Sequence, residues 1–169
     1  GAAAREDGSR TDDPDEAGES NAAVEERGEG ESDRADPERR WRTATAPAEE
    51  SLLDAAVDGA SAYAVGAEGA VLADGGEGWT CPVPDGPGAG SNALRGVDAV
   101  EGGGVWFAGD GGAVGRLDPE TGRHVDHSAP DGDTSDVVDV AAAAEGGSET
   151  VLLVDGSGRV RRGRYRDGE

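Results

Sequence analysis

From Leu52 onward the chain alternates short apolar runs with glycine-rich turns, and the whole pattern recurs. Three copies span residues 52–79, 94–122 and 137–165. Each opens with an alternating run that ends in small residues, at 53–57, 97–100 and 138–142. A Gly- or Glu-rich turn leads to a denser apolar run at 63–65, 105–108 and 151–154. A glycine turn follows at 66–69, 109–112 and 155–158, then a third strand at 71–72, at 114–117 and from 160 onward. Gly69, Gly112 and Gly158 mark the same point of each copy, 43 and 46 residues apart. Glycine reaches positive φ at little steric cost and so closes tight hairpins. Period-two runs joined by such turns, with no helical period, predict an antiparallel meander. Fourth strands are expected in the first two copies over residues 79–83 and 124–128, each ending at a Pro-containing turn.

Upstream the pattern is absent. Residues 1–38 contain one large aliphatic residue, Val24, and no aromatic residue. Such a segment buries too little surface to offset its chain entropy and is expected to be a disordered acidic tail, with at most a weak helix over 22–27. Around Trp41, residues 40–46 alternate polar and less polar side chains and read as one short strand, ended by Pro47. The expected organisation is a tail at 1–38 and a β-repeat domain at 39–169, with units at about 52–84, 94–130 and 137–169.

Charge changes the picture of the environment. The chain has 169 residues, 37 acidic and 15 basic, for a net charge of −22. Every basic residue is Arg, and Lys, Ile, Gln and Met are absent. Acidic disorder alone would explain the charge but not the missing Lys; surface carboxylates encoded by a GC-rich genome, as in salt-in halophiles, explain both. The same charge argues against nucleic acid, which is bound by releasing counterions with Lys and Arg. The exception is the run Arg159, Arg161, Arg162, Arg164 and Arg166, which reads as a charged edge strand that resists sheet-to-sheet association. Residues 1–20 lack an apolar signal core and the longest apolar stretches, such as 140–144, are far too short to span a bilayer, so the cytoplasm is the expected location and no membrane partner is expected. Gly1 in place of Met leaves prior cleavage open.

Two turns carry a resemblance. Asp74-Gly75-Gly76-Glu77-Gly78-Trp79 matches the end of an Asp-box hairpin (D-x-G-x-x-W), with Leu72 where Ser or Thr is usual, and Asp118-Pro119-Glu120-Thr121-Gly122 is a D-x-x-T-G turn. The string from Val105 to Val114 is similar to blades of the photosystem II assembly-factor-like group. With the repetition, residues 40–169 resemble a haloarchaeal BNR/Asp-box, YVTN/WD40-like β-propeller repeat protein. The resemblance implies four-stranded blades, and motif roles for Asp74, Gly76, Trp79, Asp118, Thr121 and Gly122. The fold class is therefore all-β: about three antiparallel four-stranded propeller-like blades, a partial ring, since propellers close with four to eight. The strand at 40–46 is placed to complete the last blade.

Candidate chemistry is thin. An Asp-box glycosidase would need an arginine cluster and a Tyr or carboxylate nucleophile. Arg95, Arg116, Arg123, Tyr63 and Tyr165 are the residues available, at unmatched positions of the repeat. Asp131, Asp133 and Asp136 form an oxygen-rich loop without EF-hand spacing, a weak metal candidate. His124 and His127, three apart on a strand, are expected on opposite faces as surface or turn residues. Cys81 is the only cysteine and reads as a small hydrophobe rather than a nucleophile. Trp106 and Phe107 are expected on opposite faces, at least one packing between repeats; core packing is favoured for them over a contact surface. No cofactor is implied. The expected function is a non-catalytic binding or scaffold module with a protein partner or self-association; a degenerate Asp-box hydrolase and a truncated, non-functional propeller fragment are the alternatives.

Val, Leu and Phe make up 23 of residues 51–169, so apolar burial alone leaves folding marginal. Screening of the carboxylates should then decide stability. The thermal midpoint followed by circular dichroism is expected to rise steeply as KCl goes from dilute to multimolar. A midpoint indifferent to salt would remove the salt-adaptation reading.

Overall fold

The computed structural model describes residues 41–166, in which eleven β-strands form three antiparallel sheets. The first sheet is β1 (Leu52–Asp58), β2 (Ser61–Gly66), β3 (Val71–Asp74) and β4 (Trp79–Val83). The second is β5 (Leu94–Ala99), β6 (Val105–Gly109), β7 (Val114–Leu117) and β8 (His124–Asp126). The third is β9 (Val137–Glu145), β10 (Ser148–Asp155) and β11 (Val160–Tyr165). Within each sheet the strands lie side by side in chain order. The expected meander is therefore present, with β4 and β7 at their expected positions and β8 shorter than the run to Ser128 that its sequence suggested. None of the described residues lies in a helix long and apolar enough to cross a membrane.

The sheets pack face to face in chain order. β5 lies against β1 and β2 of the first sheet, and β9 lies against β5 and β6 of the second. Two apolar layers result. Tyr63, Val65, Val71 and Val83 from the first sheet meet Val97, Val105 and Phe107 from the second. On the other face of the second sheet, Trp106, Ala108 and Val114 meet Val140, Val151 and Leu153 of the third. The central sheet is covered on both sides, which is why all five residues of β6 are buried and why its sequence is an unbroken apolar run. Trp106 and Phe107 thus point to opposite faces, as alternation requires, and both pack between sheets, the core placement favoured over a contact surface.

Carboxylates join consecutive sheets as well. Asp54 of β1 accepts the Val97 N–H of β5 at 2.9 Å, and Asp98 of β5 accepts the Ala142 N–H of β9 at 2.7 Å. The alanines and glycines of the inner strands let the backbones come this close.

The strand expected over residues 40–46 is not formed. Residues 41–46 have no regular secondary structure, Trp41 is fully exposed, and β11 is an edge strand among the described residues. Pro47 leaves only a short stretch of small and polar side chains there, with little to bury. Residue 40, the expected tail at 1–38 and the weak helix over 22–27 lie outside the described residues. The Cα packing divides the chain after Arg42.

Phe107 is completely buried in the first apolar layer. Phe107→Ala is expected to cost about 3–5 kcal/mol, read as a lower guanidinium midpoint in multimolar KCl. A cost below about 1 kcal/mol would mean that the two sheets do not depend on this layer.

Candidate functional site

The densest polar constellation lies in the seam between the second and third sheets. Arg116 on β7 is the register partner of Trp106 on β6, so both side chains leave the sheet on the face turned to the third. Glu149, at the start of β10, is paired with Tyr165 of β11. Glu149 Oε1 accepts the Gly104 N–H and Arg116 Nη2, each at 2.8 Å. Its Oε2 accepts Trp106 Nε1 at 2.6 Å and Arg116 Nε at 2.8 Å. The guanidinium carbon of Arg116 sits 4.5 Å from the centre of the Tyr165 ring. Trp106 meets Tyr165 edge-on at 5.6 Å, and His127 closes the cluster 5.2 Å from Trp106 and 5.5 Å from Tyr165. The Gly102–Gly104 turn is part of this site: a Cβ on Gly104 would overlap the Arg116 guanidinium, and one on Gly103 would stand 2.6 Å from Glu149 Oε1.

Arg116 and Glu149 are both buried. Burial by itself would raise the Glu149 pKa. The hydrogen bonds from Arg116, Gly104 and Trp106, with the Arg116 charge, outweigh it and hold the carboxyl below the ordinary glutamate value. His127 is pushed the other way from a typical paired histidine. Burial first, then the Arg116 charge, lower its pKa against the pull of Asp126, and its Nε2 has no hydrogen-bond partner. Beside the cluster a cleft of about 510 Å³ is lined by Trp106, His127, Asp131, Leu153, Arg161 and Tyr165. Arg161 faces Asp133 at 2.6 Å, an ion pair whose line is poor for a hydrogen bond.

The two turn motifs are backbone devices. Asp74 Oδ1 accepts the N–H groups of Gly76 (2.7 Å) and Gly78 (3.1 Å), and Gly76 takes φ 98°, which a side chain would disfavour. Trp79 is the register partner of Asp74 and starts β4. Asp118 Oδ1 accepts the N–H groups of Glu120 and Thr121, and Gly122 N–H donates to the Asp118 carbonyl at 2.8 Å. The hydrogen bonds with Thr121 are the main cause that lowers the Asp118 pKa. Both are Asx-type turns.

Of the residues considered for hydrolysis, Arg116, Tyr165 and Tyr63 line one cleft of about 520 Å³, Tyr63 also packing in the first apolar layer, whereas Arg95 pairs with Asp110 on the surface. Arg123 is exposed. The three loop aspartates do not converge: Asp133 takes Ser135 N–H and faces Arg159 and Arg161, Asp136 takes Gly111 N–H, and Asp131 lines the cleft. Among the described residues no three His, Cys, Asp or Glu side chains are grouped to hold a metal ion. His124 is exposed on β8, and His127 lies in the turn segment after that strand, where it packs on Trp106. Cys81 is partly buried, its Sγ donates to the Val83 carbonyl at 3.5 Å, and burial first, then Glu50 and Asp85, push its thiol pKa up. No thiolate chemistry is favoured there. Glu149 had no sequence signal of its own. Its partners did: a triple glycine facing a tryptophan, and an arginine inside the apolar frame of β7. No protein-family model and no curated protein matches the chain.

Breaking one side of a buried ion pair strands the other, at about 3–5 kcal/mol, whereas replacing both by apolar groups is far milder. Arg116→Met and Glu149→Gln should each show that loss, and the double variant Arg116→Met/Glu149→Leu should recover most of it. The folded pKa of Glu149 lies below its unfolded value. Its contribution is therefore complete above the ordinary glutamate pKa and is lost as pH falls through the depressed one. Denaturant titrations across that window should give a shallower acid limb for Glu149→Gln than for the parent; equal limbs would show that the clasp does not drive it.

Proposed function

We propose that residues 43–169 are a non-catalytic, propeller-like binding module of a salt-adapted protein, in which each sheet is one blade. What supports the blade reading is the face rule repeated across the sheets. Counting back from the turn glycine, positions four and six face the following sheet (Val65 and Tyr63; Ala108 and Trp106), and positions five and seven of the next sheets face the preceding one (Phe107 and Val105; Leu153 and Val151). Innermost strands lie against innermost strands, β1 with β5 and β5 with β9. That is how blades follow one another around an axis.

The observation that carries the non-catalytic reading is the saturation of Glu149. All four of its hydrogen bonds go to groups of the same chain, so although both members line a cleft of about 520 Å³, the one buried carboxylate–guanidinium pair among the described residues is a clasp whose hydrogen bonds are taken up within the chain. A second carboxyl at glycosidase spacing, facing the same cleft with a free oxygen, would be required for hydrolysis. The role left is display of turns and sheet faces to a partner. In multimolar KCl the purified chain is expected to leave aryl sialosides and aryl glycosides at background hydrolysis. Turnover above background that disappears in Glu149→Gln would replace this reading by the hydrolase one.

A further inference from the structure

We propose that the partner is a second copy of this chain, docked head to tail so that β1 of one copy lies over β9 and β10 of the other. The inference rests on the blade reading and extends it. On β10, alternation turns Val154 and Leu152 away from the second apolar layer, onto the outer face of the third sheet. These hold the places of Ala108 and Trp106, and of Val65 and Tyr63, the pairs that receive a following sheet. Arg162 is the register partner of Leu152 as Arg116 is of Trp106. Asp139 is opposite Val154 as Asp54 is opposite Val65, and Asp54 is the residue that reaches the next inner strand. The third sheet thus carries a complete receiving face, and it is open: Leu152 is 36%, Val138 43% and Val160 62% exposed.

The matching surface is β1. In both internal seams the inner strand of the following sheet, β5 or β9, lies over the first two strands of the preceding one. β1 is the inner strand of the first sheet. Val57 holds the register place of Ala99 and Ala142, which pack against the two apolar layers, and Leu52 that of Leu94 and Val137, which lie in them, yet Val57 is 75% and Leu52 43% exposed. Ala64, the counterpart of Phe107 and Leu153, is already buried on this face, so its open part is the strip along β1. The same rule brings Asp139 to the Ala55 amide of the second copy, the place Val97 holds for Asp54.

Charge sets the polarity of the contact. Residues 43–93, which contain the first sheet, hold eight carboxylates and no basic side chain, while residues 137–166, which contain the third, hold five arginines and four carboxylates. First sheets repel one another and the third sheet does not repel them, so a first sheet meets a third sheet of its partner rather than another first sheet. Two copies joined at both ends give six sheets, within the four to eight with which propellers close.

The test is light scattering coupled to size exclusion on the full chain in multimolar KCl, with Val57→Asp and Leu152→Asp beside the parent. The parent is expected at twice the chain mass. Each substitution should raise the dimer dissociation constant about tenfold or more while leaving the far-ultraviolet β signal and melting cooperativity intact, since both side chains are exposed. An equimolar mixture of the two variants should regain dimer, because one of its two junctions then joins unaltered faces. A monomeric parent with an intact, cooperative β signal overturns the self-association and leaves the module standing; loss of the β signal overturns both. A dimer broken by Val57→Asp but indifferent to Leu152→Asp, or a polydisperse ladder, overturns the head-to-tail ring.

Discussion

The packing of one sheet on the next depends on carboxylates that accept backbone N–H groups across the seam. The inner strands are built from Ala, Gly and Val, so their backbones approach closely but bury little apolar area for their length. Asp54, Asp98 and Glu149 fill the deficit, reaching Val97, Ala142 and Gly104 in a neighbouring sheet. For Glu149, whose burial alone would raise its pKa, the hydrogen bonds from Arg116, Gly104 and Trp106 hold the carboxyl below the ordinary glutamate value. Acidic residues in this chain thus fix the geometry of the interior as well as solvating its surface.

The two seams solve the same problem differently. The first sets Tyr63 and Phe107 in a layer whose other members are aliphatic. The second sets Trp106 beside a buried ion pair, with Tyr165 edge-on to it and His127 tilted against it. A polar network of this kind has few arrangements in which every donor is satisfied, so it fixes the placement of the third sheet more narrowly than aliphatic contacts alone. It also explains why an arginine stands in β7 between Gly115 and Leu117, where the alternation alone would have placed a hydrophobe.

The strands were legible because the signal is local. Glycine spacing marks each second turn, and the runs at 105–108 and 151–154 are apolar enough to identify β6 and β10. The opposed directions of Trp106 and Phe107 followed from period two. That both are covered did not follow, since alternation says nothing about what lies on either face. The clasp was hidden for a related reason. Arg116 and Glu149 are 33 residues apart, on different repeats, and in a chain with 37 acidic residues one more glutamate looks like solvated surface. The strand expected at 40–46 failed where local pattern was the only support: two threonines and an aromatic residue alternate properly there, but no neighbouring strand holds them. The loop aspartates looked like a cluster because they are close in sequence. In space Asp133 and Asp136 turn to different partners.

The recurrence of one turn device has a consequence for how such a sequence can change. Asp74, Asp118, Asp126, Asp133 and Asp155 each accept the N–H two residues ahead, so five hairpin or loop corners are held by a carboxylate. The negative charge of the molecule therefore comprises two populations: carboxylates that meet only water, and carboxylates written into corners and seams. The first group could be exchanged residue by residue. The second could be exchanged only for Asn, Ser or Thr, side chains that keep an acceptor oxygen, and its members set a floor beneath which the acidity of this architecture does not fall without rebuilding its turns.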